Sequence, residues 1–191
     1  MQRERISRNF TLALAVLPIA AFAGCSSLGW PGSSPASCNV PQLAGTVVHV
    51  DLSDSGGMGG GGMSGPGGGT SGAPGGHMMA MTLRSDNLSV PGDQPVSIVA
   101  HNSGTELHEL VVVQLAAGSQ ARSLPIGGDQ KADESASRAE ASKPCAGGAG
   151  QGLSAGETGW VTVNLPAGAY ALICNEPGHY AAGMWTDFVV R

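Results

Sequence analysis

Short runs of alternating apolar and polar residues fill this chain from residue 46 onward, and they constrain its fold more than any other feature. Val48, Val50 and Leu52 fall on one face of the first run, and similar runs follow at 96–100 and 161–165. Alternation with a period of two is typical of half-buried β-strands. Because helical periodicity is almost absent, the pattern predicts an all-β chain folded as an antiparallel β-sandwich of about seven or eight strands.

Further strands are predicted near the C-terminus and around one continuous apolar run. Residues 110–115 are nearly all apolar, and residues 170–174 and 185–190 flank a loop of different composition. Between the predicted strands, residues 116–158 are polar and rich in Ala and Gly, which predicts a long loop that is functional or mobile. A short helix is expected within it, at 131–141.

The N-terminal two dozen residues are interpreted as an export signal. Three arginines precede an apolar run at 11–23, which is too short for a comfortable membrane span. Small residues then lead to Cys25, an arrangement that resembles a bacterial lipobox with the lipid attached to Cys25. Residues 1–24 are therefore predicted to be a lipoprotein-type signal peptide and residues 25–44 a tether. An ordinary cleaved signal and an uncleaved anchor helix are the alternatives.

A second low-complexity segment, residues 55–77, consists mostly of glycine and includes Met58 and Met63. Such a composition predicts a flexible loop. Together with His77 and the methionines at 78–81, these thioethers could form a loose site for a soft ion such as copper(I). The alternative is that Met79 and Met81 are core residues and the others lie in a loop. The chain has a formal net charge of −5 and no basic run interleaved with aromatics, which disfavours nucleic acid as a partner.

One loop combines three residue types that suit a soft metal ion. Cys174, His179 and Met184 follow one another with four residues between each, in the run CNEPGHYAAGM between two predicted strands. Thiolate, imidazole and thioether suit copper in both oxidation states, whereas hard cations prefer oxygen and structural zinc prefers four Cys or His ligands. The loop therefore predicts a copper site.

A further imidazole is needed, and His108 is predicted to supply it. His108 lies directly before the apolar run at 110–115, whereas His101 lies at a strand end before a turn and is interpreted as a surface residue. Two His and one Cys in a plane with a weak axial Met form a type 1 copper site. One such site is predicted, with His108, Cys174, His179 and Met184 as ligands.

The run CNEPGHYAAGM, with the preceding LPAGAYALI, resembles the ligand loop of the cupredoxin family of blue copper proteins, and its spacing is similar to that of rusticyanin and sulfocyanin. The resemblance implies a Greek-key sandwich of the cupredoxin type, which we assign to residues 45–191, with the four ligands named above. Many cupredoxins place Asn directly after the first His, where it supports the cysteine ligand. Here Glu109 follows His108, so this support is expected to differ.

Two cysteines are left once Cys25 is assigned to the lipid and Cys174 to copper. Because an exported protein lies in an oxidising compartment, Cys38 and Cys145 are predicted to form a disulfide.

Four protein ligands leave no open position for a substrate, which favours outer-sphere electron transfer over catalysis. The expected function is that of an exported, monomeric one-electron carrier, lipid-anchored on the cell-envelope or periplasmic side and serving redox protein partners. A copper buffer or chaperone without redox turnover is the alternative, motivated by the Met-rich segment. A multicopper oxidase or copper nitrite reductase is disfavoured because the chain has a single predicted domain and no His-x-His pairs.

Overall fold

The computed structural model describes residues 38–54 and 81–191, and this part of the chain is almost entirely β-structure. A single 3₁₀ turn, Ala121–Ser123, accompanies nine strands within these ranges. The strands are β1 Thr46–Ser53, β2 Thr82–Ser85, β3 Ser89–Val90, β4 Val96–Asn102, β5 Val111–Gln114, β6 Ser137–Glu140, β7 Thr158–Val163, β8 Gly168–Ile173 and β9 Trp185–Val190. No helix within these residues has the length and apolar character needed to cross a membrane.

The strands form two sheets, which confirms the predicted β-sandwich of the cupredoxin type. One sheet has the order β2-β1-β4-β7, and the other has the order β3-β9-β8-β5-β6. The sheets are mixed rather than wholly antiparallel, because β1 runs parallel to β4 and β3 runs parallel to β9. Alternating hydrophobicity indicates which face of a strand is buried and carries no information on its direction, so the parallel pairs were not foreseen.

The core between the sheets is built from the alternating positions that the sequence indicated. Val48, Val50 and Leu52 of β1 pack with Ile98 of β4 and with Phe188 of β9 in one buried cluster. Each fully buried side chain of this size contributes about 1.5–3 kcal/mol relative to an exposed one. The inner faces of both sheets therefore supply the main stabilisation of the domain.

The strands β5 and β8 are buried on both faces, which explains the continuous apolar run at 110–115. A second cluster covers their outer face. Its members from the strands are Val111, Val113, Ala171 and Ile173, and its members from elsewhere are Leu115, Ala121, Ala132 and Tyr180. The segment that follows β5 thus folds back over the sheet, and the polar sequence at 116–158 has a defined structure with a covering role.

The short helix expected at 131–141 is absent, and this expectation was wrong. Residues Ser137–Glu140 form β6, which pairs antiparallel with β5 through Val111↔Glu140 and Val112↔Ala139. Helix propensity is a weak preference even for alanine, the best helix former, whereas the outer backbone groups of β5 need hydrogen-bond partners. Tertiary pairing therefore overrides the local preference.

The predicted disulfide is present and joins Cys38 to Cys145, with a Cα–Cα distance of 5.1 Å. It links the residues before β1 to the segment between β6 and β7, across a sequence separation of 107 residues. The backbone N–H of Cys145 also donates to the carbonyl of Thr158 at the start of β7, at 2.9 Å. The bond therefore holds the N-terminal end of the domain against the edge of one sheet.

Replacing both Cys38 and Cys145 with serine should lower the free energy of unfolding of the copper-free protein by about 2–4 kcal/mol, because the cross-link restricts a long loop in the unfolded chain. Denaturant unfolding of the full-length protein measures this loss. Adding a reductant should bring the wild-type protein close to the double variant and leave the double variant unchanged. Equal midpoints for the wild type and the double variant would contradict a stabilising role.

Candidate metal centre

Three of the four predicted ligands meet at one point of the structure. The Nδ1 atoms of His108 and His179 lie 3.2 Å apart, and the Cys174 Sγ lies 3.7 Å from the first and 3.4 Å from the second. Three donors placed around one metal ion at bonds of about 2 Å are separated by similar distances. Among the described residues, this is the only group of three or more His, Cys, Asp or Glu side chains that could hold a metal ion.

The β8–β9 ladder closes the ligand loop, residues 174–184, at its base. Ile173 and Trp185 are paired across the ladder, and the N–H of Cys174 donates to the carbonyl of Met184 at 3.0 Å. The N–H of Met184 in turn donates to the carbonyl of His179 at 3.1 Å. The Met184 side chain is fully buried in the same cluster as Cys174. This backbone network therefore fixes the three residues of the loop relative to one another.

Two glycines allow the ligand loop to turn so tightly. Gly178 and Gly183 have φ angles of +84° and +98°, which are strained for residues with a side chain. Gly178 also donates its N–H to the carbonyl of Gln130, at 3.0 Å. The loop is therefore held from outside by the segment that follows β5.

His108 reaches the site from the connection between β4 and β5. Its N–H donates to the carbonyl of Leu153 at 3.1 Å, and the N–H of Leu153 donates back to the His108 carbonyl at 2.6 Å. This β-bridge places a fully buried imidazole against the ligand loop. His101, by contrast, is exposed and contacts the Thr158 hydroxyl through its Nδ1, at 3.0 Å, which confirms its interpretation as a surface residue.

The protonation states of the three donors follow from their burial. Burial lowers the pKa of His108 and of His179, so both imidazoles are neutral at pH 7. Burial also raises the pKa of the Cys174 thiol to about 12, against a weaker opposing effect of nearby backbone N–H groups. The copper-free site therefore contains two neutral imidazoles and a protonated thiol.

Glu109 supports the cysteine through its backbone, although it replaces the expected Asn. Its N–H donates to the Cys174 Sγ at 3.4 Å. Its carboxylate lies 3.8 Å from the Lys131 ammonium, and burial raises the pKa of Glu109 to about 7 although the Lys131 charge lowers it. The contact to sulfur belongs to the main chain, so it does not depend on which side chain follows His108.

Asn175 and Asp54 contribute to the site and were not foreseen from the sequence. Asn175 is buried, and its side-chain amide accepts from the Ala132 N–H at 2.7 Å and donates to the Ala132 carbonyl at 3.1 Å. Asp54 is buried beside His108, with its Oδ1 3.4 Å from the imidazole Nε2. The sequence could have indicated a role for Asn175 in the site, because this residue directly follows the predicted ligand Cys174. It could not have indicated Asp54, because the proximity of Asp54 to His108 depends on the parallel pairing of β1 with β4.

Several predicted features fall on residues that the structure does not describe. Cys25, the signal peptide and the tether up to residue 37 lie outside the described ranges, as do the methionines of residues 58–79. Met81 is described, and it packs against the core cluster.

The donor set fits type 1 copper, because two imidazoles and a thiol converge beside a buried methionine on a β-sandwich. Site and fold together define a blue copper protein of the cupredoxin class, whose general role is electron transfer. The sulfocyanin (SoxE) domain model matches residues 83–191, which is more than half of the chain. The chain therefore belongs to the sulfocyanin family.

The solved structures that resemble part of this chain include an auracyanin and a rusticyanin. Reduced auracyanin from Roseiflexus castenholzii is 24% identical, with a TM-score of 0.40, and the match covers 56% of this chain and 86% of that chain. Rusticyanin from Thiobacillus ferrooxidans is 17% identical, with a TM-score of 0.43, and covers 81% of this chain and 86% of its own. No curated protein sequence matches the chain significantly.

Binding of copper(I) to the copper-free protein at pH 7.5 should release about one proton, because the Cys174 thiol must lose its proton whereas the imidazoles are already neutral. The apparent affinity should consequently rise by roughly tenfold for each pH unit between pH 7 and 9. Anaerobic calorimetry in two buffers of different ionisation enthalpy measures the proton count. Cys174→Ser is the control and should release none. Binding without proton release would show that Cys174 is already a thiolate.

Proposed function

We propose that this protein is an exported one-electron carrier whose copper would be held by His108, Cys174, His179 and Met184. Copper bound there would supply the one-electron couple. The observation that carries the proposal is the unequal exposure of the ligands. His108, Cys174 and Met184 are fully buried, whereas the His179 side chain is partly exposed. His179 is therefore the natural route by which an electron would enter and leave.

The surface around His179 supports brief contacts with a partner protein. Pro177, Ala181, Ala182 and Gly183 of the ligand loop are all exposed. Small and apolar groups of this kind allow close approach with little desolvation of charge, which suits weak redox encounters. Tyr180 belongs to the same loop but is buried, so it does not contribute to this surface.

The buried Tyr180 anchors the ligand loop from below. Its hydroxyl donates to the carbonyl of Ala121 at 2.7 Å and accepts from the N–H of Leu124 at 2.9 Å. Burial raises the pKa of Tyr180, so the hydroxyl remains a donor at neutral pH. The exposed part of the loop is therefore supported by a fixed aromatic side chain, which favours a surface of constant shape.

The copper-loaded protein should show an intense visible charge-transfer band and a reversible one-electron couple. Ala182→Glu should slow electron self-exchange by about tenfold at low salt and leave the band intact, because it adds charge only to the docking surface. NMR relaxation in mixtures of the oxidised and the reduced protein measures the self-exchange rate. Equal rates for the variant and the wild type would exclude docking through this loop.

Ala167→Glu is a matched control for this experiment. Ala167 is also exposed, but it precedes β8, so the full length of that strand separates it from the ligand loop. The same added charge at this end should have little effect on the rate. A copper site that cannot be reduced reversibly would favour the alternative function of a copper buffer or chaperone.

We further propose that the protein is exported to the cell-envelope side, is anchored through a lipid on Cys25, and acts there as a monomer on redox protein partners. The lipobox-like sequence before Cys25 supports the anchor, and the Cys38–Cys145 disulfide supports an oxidising compartment.

Replacing Cys25 with alanine should move the protein from the membrane fraction to the soluble fraction, because lipid attachment requires that thiol. Fractionation of cells that express the full-length chain measures this change. Cys38→Ala removes a different cysteine, so this control variant should fractionate like the wild type. Retention of the Cys25 variant in the membrane fraction would rule out the lipid anchor.

A further inference from the structure

A buried carboxylate lies behind one of the copper ligands. Asp54 is 1% exposed, and its Oδ1 lies 3.4 Å from the Nε2 of His108, which is itself fully buried. The other ring nitrogen of His108, Nδ1, faces Cys174 and His179. The imidazole therefore lies between the carboxylate and the metal centre. The sulfocyanin domain match begins at residue 83, so Asp54 lies outside the matched stretch.

The connection after β4 holds the Asp54 carboxylate in place. Thr105 donates to it from its N–H at 2.5 Å and from its hydroxyl at 2.7 Å, and Glu106 donates from its N–H at 3.2 Å. Three donors thus converge on a single buried carboxylate, an arrangement that favours its ionised form.

The parallel pairing of β1 with β4 makes this contact available. Leu52 and Asn102 are register partners at the ends of these strands, and the N–H of Ser103 donates to the carbonyl of Leu52 at 2.9 Å. A Cβ at Gly104 would lie 1.7 Å from the Asp54 Oδ1. Only glycine at this position allows the turn and the carboxylate to pack this closely.

We propose that Asp54 is a positioning residue for the copper site, which orients His108 and tunes the relative affinity for the two copper oxidation states. Its carboxylate accepts a hydrogen bond from Nε2–H, which leaves the lone pair of Nδ1 directed at the site. A carboxylate hydrogen-bonded to a ligating imidazole also increases the basicity of that ligand. Negative charge behind the ligand stabilises copper(II) more than copper(I), and so lowers the reduction potential.

A merely structural role for Asp54 makes a different prediction. If the carboxylate only holds the turn at 103–106, its loss destabilises the fold and affects both copper states alike. If it also acts through His108, its loss changes the ratio of the two affinities. This inference rests on the proposed ligand set, so the wild-type protein must first show the blue band.

Asp54→Asn tests the proposal in the full-length protein, because it keeps the size of the side chain and removes the charge. The affinity for copper(II) should fall by roughly 10–100-fold, with a smaller loss for copper(I). A tenfold difference between the two losses raises the reduction potential by about 59 mV. Competition titrations with each copper ion and redox titration measure these quantities, and thermal unfolding of the copper-free variant reports any structural loss.

Glu106→Gln is the matched control. Glu106 is exposed, and its charge also acts on both His108 and His179, but the Asp54 contact to the imidazole remains intact in this variant. It should change the affinity ratio little, because an exposed charge is screened. Equal shifts in the two variants, or an unchanged ratio in Asp54→Asn with the wild type still blue, would overturn the proposal. A wild type without a blue band would instead reject the proposed function.

A second measurement needs no variant. In the wild-type copper-free protein, at a pH where both imidazoles are neutral, long-range ¹H–¹⁵N spectra should show His108 protonated at Nε2, since that nitrogen faces the carboxylate. A His108 ring protonated at Nδ1 would overturn the proposal even if Asp54→Asn failed to fold.

Discussion

The metal centre depends on one constraint: three residues of a short loop must be held close to a fourth residue, which comes from a distant part of the chain. Cys174, His179 and Met184 belong to a single connection between β8 and β9, and a loop of this length cannot surround a metal ion by itself. The paired strands close its base through Ile173 and Trp185. His108 completes the donor set only because the sandwich brings the β4–β5 connection to the same end of the molecule.

A layer of buried polar contacts keeps these donors in place. The Glu109 N–H contacts the sulfur, Asp54 contacts the His108 imidazole, and Asn175 ties the ligand loop to Ala132. Among the described residues, no buried side-chain nitrogen or oxygen lacks a hydrogen-bond partner. Since a buried polar group without a partner costs about 1–3 kcal/mol, each of these contacts resists rearrangement. These contacts together favour a single fixed arrangement of the donor atoms.

The segment after β5 forms the outer wall of the metal centre. Its sequence is polar and weakly patterned, yet Ala121 and Ala132 cover the outer face of β5 and β8. The same segment binds the ligand loop through Gln130, which accepts from Gly178, and through the contacts to Asn175 and Tyr180. Small residues are needed here because the backbone of the segment lies close to the sheet. A composition that reads as a mobile loop can therefore encode a close-packed cover.

The sequence by itself determined the sandwich, most of its strands, the Cys38–Cys145 pairing and the residues of the candidate copper site. Strand periodicity is local, and the spacing of Cys174, His179 and Met184 is a property of a single loop, so both can be recognised without tertiary structure. The tertiary structure alone decided strand direction, the strand at Ser137–Glu140 in place of a helix, and the roles of Asn175 and Tyr180. It also brought Asp54 to His108 across 54 residues of chain. These features arise from pairing between distant segments, where hydrogen bonding and burial outweigh the weak preferences of the local sequence.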